Sequence, residues 1–247
     1  RHQLASFEKL MARSTTDIEW FWGAMLRELD VRFETPYSKV VDLSNGPQMP
    51  RWCVDGRMNI VQTLLDRHQE TRQDDRIAIV YESENGETRR LTYRELREEV
   101  NRVASALRSL QIVPGDVVAV FMPMTPQCVI AMLAIIKIGA IFLPLFSGYG
   151  AGAIVSRLVD CNAKAMFTVD GFRRRGQCVD TKTIADEAAS SSPSIQHLIV
   201  FQNANNPVSM KPDRDHWWHD IVKPTYSSNS KSPTHITSAE ASCMLIY

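Results

Sequence analysis

The stretch GDVVAVFMPMTPQCVIAMLAIIKIGAIFLPLFSGYG, residues 115–150, decides the fold. Gly115-Asp116 follows Pro114 in a turn, residues 117–122 read as a strand, and Thr125 or Pro126 opens a helix. Residues 129–146 are almost continuously apolar and about long enough to cross a bilayer. Lys137 interrupts them, however, Gly139 has the character of a helix C-cap, and Pro144 falls in a β-branched and aromatic run at 141–145. The run therefore reads as a buried helix followed by a buried strand.

Outward from this unit the same grammar repeats. On the N-terminal side, residues 76–82 (RIAIVYE) are strand-like, Glu84-Asn85-Gly86-Glu87 is a turn, and 88–91 returns as the second arm of a hairpin. Thr92 then caps a helix that runs to about Leu110, with Glu95 in capping-box spacing and Leu96, Val100, Val103, Ala104 and Leu107 on one face. On the C-terminal side, helices are expected at 149–161 and 183–190, and strands at 165–169, 197–201 and 241–247; 202–213 and 227–234 are loops. Strands separated by helices of ten or more residues predict an α/β fold, a doubly wound, mainly parallel sheet with flanking helices. Ahead of it, a helix at 17–29, an extended segment punctuated by Pro36, Gly46, Pro47 and Pro50, and a helix at 58–67 capped by Asn59 form a lead-in. The expected organisation is a helical and extended segment over 1–70 and an α/β subdomain over 71–247.

Composition narrows the function. The chain has 247 residues, 44% hydrophobic and 8% aromatic, enough to bury a core. Twenty-eight Lys+Arg balance 28 Asp+Glu, so no global field draws it to nucleic acid or an anionic membrane, and a phosphate site must be local. The five cysteines form no C-x-x-C pair, which favours free thiols in a reducing compartment. The first residues, RHQLASFEKLMARS, lack the apolar centre of a secretion signal, and the expected location is the cytoplasm.

Few residues suggest chemistry unaided. His216 and His219, three apart, would share a helix face as a metal pair needs, but no third ligand stands near them. Trp217 and Trp218 favour a packed amphipathic helix, so no metal site is expected. Gly148, Tyr149, Gly150 and Gly152 match neither phosphate-loop pattern and read as a tight strand-to-helix turn. Ser147 lies outside a G-x-S-x-G elbow. Asp66-Arg67-His68 is a charged helix end, and Arg89-Arg90 and Glu98-Glu99 are solvated faces. No catalytic residue is assigned.

Four segments carry a resemblance: LTYREL (91–96), AIIKIGAIFLPLFSGYG (134–150), TVDGFRRRG (168–176) and RDHWWHD (214–220). Together they resemble the acetyl-CoA-synthetase-like branch of the AMP-forming acyl-CoA synthetases, within the adenylate-forming superfamily. The resemblance runs from about Asp17 onward and implies the first part of the large N-terminal domain, ending before the ATP phosphate loop. The rest of that domain and the C-terminal lid would lie outside this chain.

It implies a ligase that joins a carboxylic acid to CoA through an acyl-adenylate, with ATP, Mg2+ and CoA as substrates of the whole enzyme. None of them is expected to bind this part tightly, and the chain alone is expected not to turn over. It also places the 3′-phosphate of CoA against Arg173, Arg174, Arg175 and Gly176, Arg174 being the best-matched position. The family's second Arg falls at Gln177. A solvated basic turn after the strand is the alternative reading of the same residues and weighs equally with it. Two alternatives to the CoA ligase are an adenylation domain loading a carrier thiol and a non-catalytic interaction domain of the same fold. The particular acid and the oligomeric state are not legible.

Overall fold

The computed structural model describes residues 6–69, 71–222 and 232–247. They fall into two compact units, Arg1–Leu64 with Ile236–Ala241, and Leu65–His235 with Ser242–Tyr247.

The smaller unit begins with α1 (Phe7–Thr16) and α2 (Ile18–Glu28). Asp17 separates them and caps the second, its carboxylate accepting from the Trp20 N–H at 3.2 Å. Only α2 was expected. Helix α1 buries no residue, although Phe7, Leu10 and Met11 stand at helical spacing along it. Strands β1 (Lys39–Asp42) and β2 (Arg51–Val54) pair antiparallel, and β3 (Arg57–Met58) pairs with Thr237–Ser238 from the far end of the chain. The helix expected over 58–67 is shorter: α3 covers Ile60–Leu64, with the Val61 N–H on Asn59 Oδ1 at 3.0 Å, and Asp66–His68 form a separate 3₁₀ turn.

In the larger unit, β4 (Ile77–Glu82) and β5 (Thr88–Thr92) make the expected hairpin. Helix α4 (Tyr93–Ser109) follows. Its capping box is complete: Glu95 accepts from the Thr92 N–H at 2.8 Å, and Thr92 Oγ1 from the Glu95 N–H at 3.2 Å. The expected stripe is buried along its whole length.

Next come β6 (Val117–Val120), α5 (Pro126–Lys137), β7 (Ile141–Pro144), α6 (Ala151–Asp160) and β8 (Ala165–Val169). The chain then forms a hairpin of β9 (Phe172–Arg174) and β10 (Gln177–Val179), then α7 (Thr181–Ser190), β11 (His197–Phe201), β12 (Asp215–Trp217) and α8 (Trp218–Ile221). Five strands pair in parallel in the order β12-β11-β8-β6-β7. The apolar run at 129–146 resolves into α5 and β7; Ile130, Ala131, Leu133, Ala134 and Ile135 are all buried, which accounts for a helix without a polar face. Among the described residues no helix is long and apolar enough to cross a membrane.

Three expectations need correction. Residues 214–220 are not one helix: His216 lies in β12 and His219 in α8, because an edge pairing of Asp215–Trp217 with β11 satisfies the backbone there. The strand at 241–247 is reduced to one bridge, Phe142 with Met244, along the exposed edge of β7. The basic segment after β8 is a hairpin of two short strands rather than a turn. The expected loop at 227–234 lies largely outside the described residues.

Lys137 shows how the apolar run tolerates a charge. Its ammonium is buried and bonds Asp66 Oδ1 at 2.9 Å and Thr234 Oγ1 at 2.6 Å. Burial lowers its pKa and the Asp66 carboxylate opposes that shift. Gly139 follows with φ +79°, and a Cβ there would lie 2.5 Å from the His235 ring, so Lys137 and Gly139 are both fixed by packing. Lys137→Ala is expected to lower unfolding stability by about 2 kcal/mol, the cost of leaving a partly buried carboxylate unpaired, measured as the urea midpoint at neutral pH.

Candidate functional site

The order of the parallel strands fixes where a ligand can sit. From β6 the chain crosses to β7 on one side, then passes back over β6 to β8 and β11 on the other. The loops leaving β6 and β8 therefore diverge and open a crevice beyond their carboxyl ends. A cleft of about 420 Å³ lies there. Pro123, Met124 and Thr125 come from the β6–α5 loop and Gln127 from the first turn of α5, Phe172 and Arg173 from the hairpin after β8, and residues 201–205 from the end of β11. The tip of the β4–β5 hairpin, with Tyr81, Glu84, Glu87 and Arg89, supplies the remaining wall. Two cations, two carboxylates, several amides and a few apolar side chains suit a polar ligand with an aromatic or aliphatic portion.

The hairpin after β8 separates the three adjacent arginines. Alternation along β9 sends Arg173 and Arg174 to opposite faces. Arg173, opposite Cys178 in the register, lines the cleft; Arg174, opposite Gln177, does not. Arg175 and Gly176 form the two-residue connection with φ of +52° and +76°, a left-handed pair that suits a tight hairpin. The Gly176 N–H points to Glu84 Oε1 at 3.3 Å. All three arginines are exposed. Gly171 has no room for a side chain, since a Cβ would meet Val179 O at 3.0 Å and Cys178 Sγ at 3.1 Å. The packing of this glycine and of buried Phe172 holds the hairpin at the cleft rim.

Sequence reasoning missed parts of the cleft. Arg89, read as a solvated face, is exposed and also lines it. Thr125, read as a helix start, occupies the N-cap position of α5 without a side-chain capping bond and lines the cleft. The signal available for Thr125 was topological, since it ends the connection from β6 that the strand order brings to the crevice, whereas Arg89 comes from β5 of the separate β4–β5 hairpin. Gly148, Tyr149 and Gly150 lie in the connection between β7 and α6, outside the cleft.

The histidines have a different partnership from the one their spacing suggested. His216 Nε2 lies 3.1 Å from His197 Nδ1 on the neighbouring strand, while His219 stacks on Trp217. No cluster of three or more metal-ligating side chains occurs among the described residues.

A doubly wound α/β protein with a polar crevice at its strand-order reversal is the class this geometry defines. A family model described as AMP-binding enzyme matches residues 65–247, and one described as acetyl-coenzyme A synthetase N-terminus matches residues 7–63. The chain belongs to the AMP-binding enzyme family. It is similar to the acetyl-coenzyme A synthetase of Methanothrix soehngenii, 41% identical over 82% of this chain and 30% of that protein. The Mycolicibacterium smegmatis acetyl-coenzyme A synthetase is 37% identical over 87% of this chain and 23% of its own length. The structure of acetoacetyl-CoA synthetase from Streptomyces lividans superposes with a TM-score of 0.86 at 26% identity, over 99% of this chain and 36% of that one. The chain thus spans about 30% of the length of curated relatives such as the Methanothrix protein.

The His197–His216 pair gives this unit a pH dependence. Burial lowers the pKa of both imidazoles; the neighbouring His216 lowers that of His197 further, while Asp215 opposes the shift at His216. The unfolded chain then takes up protons below the ordinary value of 6.5 that the folded one resists. The pair's contribution is present above that value and is lost as pH falls through the folded pKa. The urea midpoint is expected to drop between pH 7 and pH 5, and His197→Phe to flatten that drop.

Proposed function

We propose that the protein carrying this chain is an AMP-forming acyl-CoA synthetase acting on a small carboxylic acid. The carboxylate attacks the α-phosphate of ATP, giving an acyl-adenylate and pyrophosphate; the CoA thiol then attacks the acyl carbonyl and AMP leaves. The consecutive match of the acetyl-coenzyme A synthetase N-terminus and AMP-binding models over nearly the whole described length carries the reading. Mg2+ would accompany ATP as part of the substrate complex. Five free thiols with no pairing suit a reducing compartment, and we place the protein in the cytoplasm.

Within this chain, the part of the reaction we assign is reception of CoA. The hairpin at Arg173, Arg174, Arg175 and Gly176 presents guanidinium groups at the rim of the crevice, where a phosphate monoester could accept paired N–H bonds. The hairpin carries three arginines in a chain whose overall charge is zero, and Arg173 is the one that lines the cleft. We assign the 3′-phosphate of CoA to this hairpin. The triphosphate is left to parts of the protein outside residues 1–247.

The test compares CoA with 3′-dephospho-CoA in the intact protein, with acetate as the first acid. Wild type is expected to show a lower KM for CoA. Arg173→Ala is expected to raise the KM for CoA about tenfold and to leave that for 3′-dephospho-CoA unchanged. Equal values for the two thiols in wild type would reject the phosphate assignment, and acyl transfer without AMP formation would reject the reaction.

A further inference from the structure

Asp170 directly follows β8 and is fully buried, yet its carboxylate belongs to no ion pair among the described residues. It is satisfied by backbone instead. Oδ1 accepts from the N–H of Asn203 at 2.7 Å and of Ala204 at 2.9 Å, and Oδ2 from the N–H of Asn206 at 2.9 Å. The backbone of the same turn is fastened from both sides. The Asp170 N–H bonds Phe201 O at 3.1 Å, Asn203 Nδ2 donates to Gly171 O at 2.9 Å, and Asn206 Nδ2 donates to Asp170 O at 3.2 Å. Five of these hydrogen bonds tie the end of β8 to a loop that has no helix or strand of its own, and the sixth ties it to the last residue of β11.

That loop is a wall of the crevice, and Arg173 stands only three residues beyond Asp170. One carboxylate therefore sets two things at once: the path of residues 203–206, and the point from which the arginine hairpin departs. A buried carboxylate that accepts three backbone N–H groups is a rigid device, because moving the loop would strand an anion away from water. We infer that Asp170 is a positioning residue that holds the 203–206 wall and the arginine hairpin in the relative placement a CoA phosphate requires. It acts through these segments and does not touch the ligand. The inference rests on the proposed CoA role of the hairpin.

The test uses Asp170→Asn in the intact protein, which keeps the volume and one acceptor oxygen but turns an amide N–H toward a backbone donor. The first readout is amide hydrogen exchange at Asn203, Ala204 and Asn206, expected to quicken about tenfold while the amides of β6 stay protected. The second is a comparison of half-reactions: the KM for CoA is expected to rise about tenfold, with acid-dependent ATP–pyrophosphate exchange, which needs no CoA, within twofold of wild type. Unchanged exchange at the three amides, or an equal loss in both half-reactions, would overturn the inference. Asn203→Ala, which removes only the bond to Gly171 O, serves as the milder variant and is expected to shift the KM for CoA in the same direction. Failure of the CoA reading is separately visible, since wild type would then not distinguish CoA from 3′-dephospho-CoA.

Discussion

The carboxyl ends of β6 and β8 lie side by side while the chain leaves them in opposite directions, and the larger unit is organised around that reversal. Parallel strands need long crossovers, so each strand end carries its own loop, and at most positions successive loops fold over one another. At the reversal they cannot. The β6–α5 loop goes one way, the β8–β9 hairpin goes the other, and a gap is left with backbone and side chains converging on it. The sheet pays nothing for this gap, because its cohesion comes from the buried residues of β6, β8 and β11 below it.

Burying a parallel sheet on both faces leaves few places for charge, and this unit handles the remainder with small closed networks. Lys182 is buried against Asp186 at 2.7 Å, Asp215 at 2.8 Å and Ser209 O at 3.0 Å, with Arg214 completing the set. Asp74, without solvent exposure, is held by Arg97 and Arg94 at the base of α4. For Asp215, burial alone would raise the pKa; Arg214, Lys182 and the Lys211 N–H outweigh it and hold the carboxyl below its ordinary value. Each network joins a helix to a neighbouring loop, and each leaves no ion isolated, the condition under which buried charge is tolerated. Asp170 is the exception in kind, an anion satisfied by peptide groups alone.

Most of the α/β unit was legible because its signals are local. The capping box at Thr92 and Glu95, Pro126 at the first turn of α5, and β8 and β11 at 165–169 and 197–201 all follow from neighbours within a few positions. What escaped depends on distant partners. His216 becomes a strand residue only because β11 offers it an edge, and its bond to His197 joins positions that no spacing rule connects. The cleft was legible only as a basic segment after a strand; that Arg173 and Arg174 part company follows from register, and that Arg89 comes to face the same space as Arg173 follows from where the separate β4–β5 hairpin packs.

Helix α5 and strand β7 carry a cost that falls during synthesis rather than in the finished protein. The segment 126–144 leaves the ribosome before the strand at 165–169, which must pair with β6 on its other side, has been made. For about 25 residues, a few seconds at ordinary elongation rates, a nearly uncharged apolar helix has only part of its eventual covering. Lys137 is the one formal charge within that helix, and its partner Asp66 is already upstream and waiting. An early Asp66–Lys137 contact would draw the emerging helix back onto its own chain and away from other nascent polypeptides.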